Sequence, residues 1–119
     1  MNVYKQEILN HYRHPRNFGE LANKTHSAKG TNASCGDTIQ IDLIIDNGKV
    51  KEVAFSGEGC AVAMASASML TEKVKTLNLT KIKELNETYV IEYLGKLNPS
   101  RKKCALLPLK VLQEAIEGE

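Results

Sequence analysis

Three cysteines and one aspartate carry the most distinctive chemistry in this sequence. The cysteines are Cys35, Cys60 and Cys104, separated by 25 and 44 residues, so no Cys-x-x-Cys zinc finger or thioredoxin-type redox pair is predicted. Taken alone, each thiol is more often a small buried hydrophobe than a ligand. All three, however, lie where one predicted element gives way to the next, and such ends can meet at one edge of a sheet. Their placement therefore favours a common site.

The neighbours of the cysteines favour thiolate chemistry. Cys60 is predicted at the start of a helix, and Cys104 follows the basic run 101–103 near another helix start. Helix N-termini and nearby cations both lower the pKa of a thiol. Asp37 stands two residues after Cys35, and in an extended strand the two side chains would point to the same side. A set of three thiolates and one carboxylate suits zinc, ferrous iron or an iron–sulfur cluster. A turn or capping role remains the alternative for Asp37.

Other candidate motifs are less specific. Gly57-x-Gly59 resembles the start of a dinucleotide fingerprint, but Val62 occupies the position of the third glycine. Gly59 is instead predicted to let the backbone turn and leave Cys60 open. Histidines at positions 11, 14 and 26 are more often solvated or hydrogen-bonded than metal ligands.

The hydrophobic pattern predicts the elements that position these residues. A helix is expected over 1–14, stopped by Pro15, and the polar stretch 19–34 is expected to be a mobile loop. Alternation from Thr38 and the Asn47-Gly48 dipeptide predict an antiparallel hairpin over 38–56. Helices are then expected over 61–74, 80–86, 87–97 and 101–117, with a kink or restart at Pro108. This order predicts an α+β fold with helices on one face of a small antiparallel sheet.

Composition and net charge argue against several classes of function. With 119 residues, 42% hydrophobic and 25% charged, the chain is expected to form one domain over 1–119. A net charge of +2 and 5% aromatic residues argue against nucleic acid as a partner. The longest clean apolar run, 61–65, is too short for a membrane span, and no secretory signal is recognisable. An odd number of cysteines favours the reducing cytoplasm.

Taken together, the motifs resemble the IscU/SufU/NifU family of iron–sulfur cluster scaffold proteins over almost the whole chain. The opening segment YKQEILNHYRHPRNFG is similar to the first helix of the family and its Pro-Arg-Asn-x-Gly continuation. The tripeptide CGD, the segment GEGCAVAMASASML and the segment SRKKCALL are similar to the regions around its three cysteines. Each motif is short, but their common order and spacing are highly specific.

The resemblance implies a SufE/NifU-like α+β fold with the cysteines at one exposed end. It also implies that Cys35, Asp37, Cys60 and Cys104 are the ligands of iron or a [2Fe–2S] cluster, with zinc as the alternative occupant. A pyridoxal-phosphate cysteine desulfurase of the IscS or SufS type would deliver persulfide sulfur, to Cys104, and the cluster would pass to apo-proteins. The chain would act as a monomer or weak dimer.

Two departures from the family pattern leave more than one function open. Lys103 replaces the histidine that usually precedes the third cysteine in IscU-type members, and 97–101 lacks their Leu-Pro-Pro-Val-Lys chaperone motif. The motifs are more like SufU, yet the spacing of 44 leaves no room for the usual SufU insertion. One hypothesis is therefore a scaffold, which is a carrier rather than an enzyme. The second is a zinc-dependent sulfurtransferase partner in which Lys103 stabilises the Cys104 thiolate; the third is an interaction protein with structural cysteines.

Overall fold

The computed structural model describes residues 3–117. Within them lie five α-helices and three β-strands: α1 (Val3–Arg13), β1 (His26–Asn32), β2 (Asp37–Asp46), β3 (Lys49–Glu58), α2 (Ala61–Val74), α3 (Leu79–Glu84), α4 (Glu87–Leu94) and α5 (Pro99–Glu117). The strands form one antiparallel sheet in the order β1-β2-β3. Helix α5 packs on β1 and β2, α2 packs on β3, and α1 packs on α2. The predicted α+β architecture is confirmed.

The β2–β3 hairpin forms as the alternating pattern predicts. Asn47 and Gly48 have φ of 54° and 73°, the positive values that a two-residue hairpin turn of this hand requires. Ile39, Ile41 and Leu43 follow one another along β2 and are fully buried in the core. Asp37 continues this row at the start of the strand, so the alternation that builds the core also turns its carboxylate inward.

The prediction of a mobile loop over 19–34 is wrong, because β1 lies within it. His26–Asn32 pairs along its length with Asp37–Leu43 of β2. The segment has few large apolar residues because α5 approaches it closely: a Cβ placed on Gly30 would lie 2.7 Å from Val111 Cγ2. A strand that packs through small residues shows no hydrophobic alternation, so its composition resembled a loop.

The opposite face of β2 carries a buried carboxylate. Asp42 is 1% exposed and accepts hydrogen bonds from Ser27 Oγ (2.7 Å) and the backbone N–H of Leu21 (3.1 Å), with Lys24 Nζ at 3.8 Å. Burial opposes ionisation, but the hydrogen bonds and the lysine together hold the pKa of Asp42 below its ordinary value. These contacts fasten the segment before β1 to the sheet.

The C-terminal helices differ from prediction at their ends. Helix α4 stops at Leu94 because Gly95 adopts φ of 85°, and α5 begins at Pro99 after Asn98, whose side chain accepts from the N–H of Arg101 (2.9 Å). Pro108 lies inside one helix rather than starting another. Since proline has no N–H, the carbonyl of Cys104, four residues earlier, lacks its usual helical donor.

Candidate metal centre

Four segments meet at the end of the sheet where β2 starts and β3 stops. The turn after β1 holds Cys35, the first residue of β2 is Asp37, the residue before α2 is Cys60, and the second turn of α5 holds Cys104. Cys35 and Cys60 are exposed, whereas Cys104 is 2% exposed and Asp37 is fully buried. The site therefore has a buried floor and an open, thiol-bearing rim.

Three of the four predicted ligands already lie within reach of one ion. One ligand atom each from Cys35, Asp37 and Cys104 lies within 4.8 Å of the others. The sulfurs of Cys104 and Cys35 are 2.8 Å apart, and the Cys104 thiol also lies 3.6 Å from the carbonyl oxygen of Ser100. Two soft sulfur donors and one carboxylate are a set that binds zinc or iron.

Cys60 stands at the margin of this group. Its side chain caps α2, with Sγ accepting from the N–H of Ala63 at 3.4 Å, and it lies 3.9 Å from Asp37 Oδ2. Within the described chain it lies outside the set of atoms that share the 4.8 Å limit. The prediction that Cys60 occupies the junction of strand and helix is confirmed, and an exposed side chain at a helix end has room to turn.

Asp37 is held by the backbone that carries Cys60. Its Oδ1 accepts from the N–H of Cys60 at 2.9 Å, which places a carboxylate at the N-terminus of α2. Gly59 makes this approach possible, since a Cβ there would lie 2.9 Å from Oδ1 and 3.2 Å from Cγ. The sequence predicts that Gly59 lets the backbone turn and leaves Cys60 accessible. The structure adds that Gly59 leaves space for Asp37.

Cys35 and Asp37 converge for a reason other than the one predicted. Cys35 lies in the turn 33–36 rather than in an extended strand, so strand alternation does not orient it. Gly36 adopts φ of 73°, and the N–H groups of Cys35 and Gly36 both donate to the carbonyl of Asn32, at 3.2 and 2.9 Å. The turn brings the Cys35 thiol back over the start of β2.

Asn32 is a site residue that sequence reasoning missed. Its Nδ2 lies 3.6 Å from Cys35 Sγ and 3.8 Å from Cys104 Sγ, and Ser34 Oγ donates to its Oδ1 at 2.8 Å. The amide is thus oriented with its donor group toward both sulfurs. An asparagine three residues before the cysteine of a turn was the available signal.

The pKa of the buried Cys104 thiol is shifted in the direction opposite to the prediction. Desolvation is the main cause that raises the pKa of Cys104, and its neighbours Cys35, Asp37 and Cys60 raise it further. We expected the nearby cations and the helix start to lower it. Cys104, however, lies beyond the first turn of α5, and the side chain of Lys103 is exposed. A metal cation would favour the thiolate form of Cys104, and the two sulfurs and one carboxylate grouped here are donors that fit such an ion.

Two histidines have the hydrogen-bonded roles expected of them. His11 Nδ1 pairs with Ser68 Oγ at 2.7 Å, and burial is the main cause that lowers the pKa of His11. His26 Nδ1 pairs with Thr25 Oγ1 at 2.8 Å. Both lie outside the cysteine and aspartate cluster.

Fold and site together define an α+β protein with a cluster of thiols and a carboxylate at one end of its sheet that could hold a metal ion. Residues 3–118 match the family described as the NifU-like N terminal domain, and the chain belongs to that family. No helix within residues 3–117 is long and apolar enough to cross a membrane.

Similar proteins carry two kinds of name. The chain is 34% identical to the zinc-dependent sulfurtransferase SufU of Bacillus subtilis, over 98% of this chain and 91% of that protein. It is 33% identical to the iron–sulfur cluster assembly scaffold protein IscU of Haemophilus influenzae, over 96% and 93% of the two chains. A crystal structure of a proposed scaffold protein for the SUF system of Fervidobacterium islandicum superposes with a TM-score of 0.78 at 26% identity, over 98% and 96%.

Proposed function

We propose that this protein is a scaffold on which a [2Fe–2S] cluster is assembled and from which it passes to apo-proteins. The observation that carries the proposal is the convergence of three thiols and a buried carboxylate at one end of the molecule, with two thiols exposed. An open rim suits a cargo that must enter and leave. Similarity to an IscU scaffold along nearly the full chain supports the same function.

The proposed ligands are Cys35, Asp37, Cys60 and Cys104. Thiolates are the preferred ligands of iron in clusters, whereas the harder carboxylate oxygen of Asp37 binds iron more weakly. That asymmetry favours a cluster that can be released. Cys60 Sγ is 3.9 Å from Asp37 Oδ2, and rotation of its exposed side chain would bring the fourth ligand to the group.

A cysteine desulfurase is the proposed source of sulfur and Cys104 the proposed acceptor. Lys103 is proposed to stabilise the Cys104 thiolate once its exposed side chain turns toward the site. Cys104 is the most buried of the three thiols, and its sulfur contacts the exposed Cys35. Cys104→Ser should abolish sulfur uptake from the desulfurase. Uptake at the wild-type rate would move the acceptor role to Cys35 or Cys60.

Zinc-dependent sulfur acceptance is the second candidate function. It is favoured by the similarity to the sulfurtransferase SufU. Zinc would hold its ligand thiols as thiolates at neutral pH. The same four residues would bind the ion. One thiol would then leave the ligand set to take sulfur from the enzyme persulfide.

The proposed setting is the cytoplasm, with a monomer or weak dimer serving a desulfurase and apo-protein acceptors. Free thiols support this location, because a reducing compartment keeps them available for metal and sulfur.

An anaerobic reaction distinguishes the two functions. The purified chain is incubated with cysteine, ferrous iron and a cysteine desulfurase, and optical spectra and native mass spectra are recorded together. A gain of two irons and two sulfides with visible charge-transfer bands supports the scaffold. Retained zinc with only sulfur adducts on a cysteine supports the sulfur acceptor instead.

A further inference from the structure

Cys35 and Cys104 form a dithiol within the site. Their sulfurs lie 2.8 Å apart, and a disulfide bond of about 2.0 Å needs less than 1 Å of further approach. Cys35 lies in a turn, where a small backbone shift is tolerated, whereas Cys104 is fixed in α5. We propose that this pair converts a persulfide on Cys104 into hydrogen sulfide by closing a Cys35–Cys104 disulfide.

The contacts select this pair over the other thiol combinations. Cys60 Sγ, although near enough to Cys104 to raise its pKa, accepts from the N–H of Ala63 and lies 3.9 Å from Oδ2 of Asp37. Cys35 and Cys104, by contrast, contact each other and share one hydrogen-bond donor, the Asn32 amide, at 3.6 and 3.8 Å. An N–H donor between two sulfurs stabilises negative charge that develops on either of them.

The step balances without an external reductant. The sulfur of Cys35 attacks Sγ of the Cys104 persulfide, the bond between Sγ and the outer sulfur breaks, and the outer sulfur leaves with the electron pair. It takes up the proton of the Cys35 thiol, so a persulfide and a thiol become one disulfide and one hydrogen sulfide. The outer sulfur is reduced and Cys35 is oxidised.

The inference deepens the proposed function and rests on it, because sulfur must first reach Cys104. It releases sulfide at the site, and a thiol must then reduce the Cys35–Cys104 disulfide before both sulfurs can bind metal. Both cysteines are also proposed metal ligands, so a bound ion would occupy their sulfurs. The step therefore belongs to the metal-free chain.

A single-turnover experiment tests the step. The full chain, freed of metal with a chelator, receives one cysteine per chain and a trace of desulfurase under anaerobic conditions, without thiol reductant. Released sulfide is trapped and measured, intact masses are recorded, and the disulfide is located by peptide mapping without reduction. Wild type should release one sulfide for each Cys35–Cys104 disulfide, and dithiothreitol should restore the free thiols.

Two variants separate the pair from the third thiol. Cys35→Ser should keep its sulfur adduct on Cys104 and lose the sulfide release, whereas Cys60→Ser should still form the Cys35–Cys104 disulfide. A Cys35→Ser chain that releases sulfide as fast as wild type, or a disulfide that involves Cys60, overturns the inference. A stable sulfur adduct on wild type overturns this inference alone. A wild-type chain that gains neither sulfur nor disulfide contradicts the proposed function as well.

Discussion

Gly59→Ala is expected to weaken metal binding at the proposed centre by displacing Asp37. The new Cβ would lie 2.9 Å from Asp37 Oδ1, closer than real Cβ contacts allow, and 3.2 Å from Cγ, which is tighter than most. Asp37 is fully buried, and Oδ1 cannot retreat without weakening its 2.9 Å hydrogen bond from the N–H of Cys60. Loss of that charge-assisted bond should lower the free energy of unfolding by about 1.5–3 kcal/mol. A displaced carboxylate should also lower metal affinity by about 10- to 100-fold, the range seen when groups that orient metal ligands are removed.

Zinc competition against a chromophoric chelator measures the affinity, and urea unfolding of the metal-free chain measures the stability. Gly48→Ala is the matched control, because Gly48 has φ of +73° with nothing within 4 Å of its Cβ position. Gly48→Ala should lower the free energy of unfolding by about 1–2 kcal/mol through backbone strain alone. Its zinc affinity should equal that of wild type. Wild-type zinc affinity in Gly59→Ala would refute the argument that Gly59 makes room for Asp37.

Three further variants test the cargo site, the polar face of the sheet and the corrected strand. Asp37→Cys should hold a cluster longer, because a thiolate binds iron more tightly than a carboxylate; transfer to an apo-ferredoxin measures this. Asp42→Asn should be less stable at neutral pH by about 1 kcal/mol or more, through loss of charge-assisted hydrogen bonds; urea unfolding across pH measures this. Gly30→Ala should lower the free energy of unfolding by about 1–3 kcal/mol through overpacking, because its Cβ would lie 2.7 Å from Val111 Cγ2.

Each of these expectations has a contradicting result. Equal or faster cluster transfer by Asp37→Cys would refute the weak-ligand argument. The pKa of Asp42 is lowered in the folded state, so its contribution is fully present above its ordinary value of 3.8 and disappears as pH falls through the folded pKa. Asp42→Asn should therefore approach wild type in acid, and a constant difference at every pH would exclude this cause. Gly30→Ala with unchanged stability would contradict close packing of β1 on α5.

The burial of Cys104 bears on both proposed functions. The persulfide of a desulfurase would meet the exposed Cys35 and Cys60 more readily than Cys104, which is 2% exposed. If Cys104 accepts sulfur directly, the turn 33–36 must move, because it carries Cys35, whose sulfur lies 2.8 Å from that of Cys104. Persulfide formation on Cys104 at the wild-type rate in both Cys35→Ser and Cys60→Ser would show that neither exposed thiol relays the sulfur.

The sequence by itself determined the elements whose signals are local. The Asn47-Gly48 turn and the alternation from Thr38 predicted the hairpin, because residues two apart share one face of a strand. Short motifs in the right order identified the family and the four candidate ligands. These signals depend on neighbours along the chain and need no knowledge of what packs against them.

Only the tertiary structure decided the strand β1, the electrostatics of Cys104 and the roles of Asn32 and Gly59. Gly30 can be recognised as a strand residue only once α5 is known to pack against it, because the close approach of Val111 is what requires a small residue there. The pKa of Cys104 rises because residues 67 and 69 positions away in sequence, Asp37 and Cys35, surround it together with protein that excludes water. Burial and close approach arise between distant segments, and residue types in sequence order do not encode the distances between such segments.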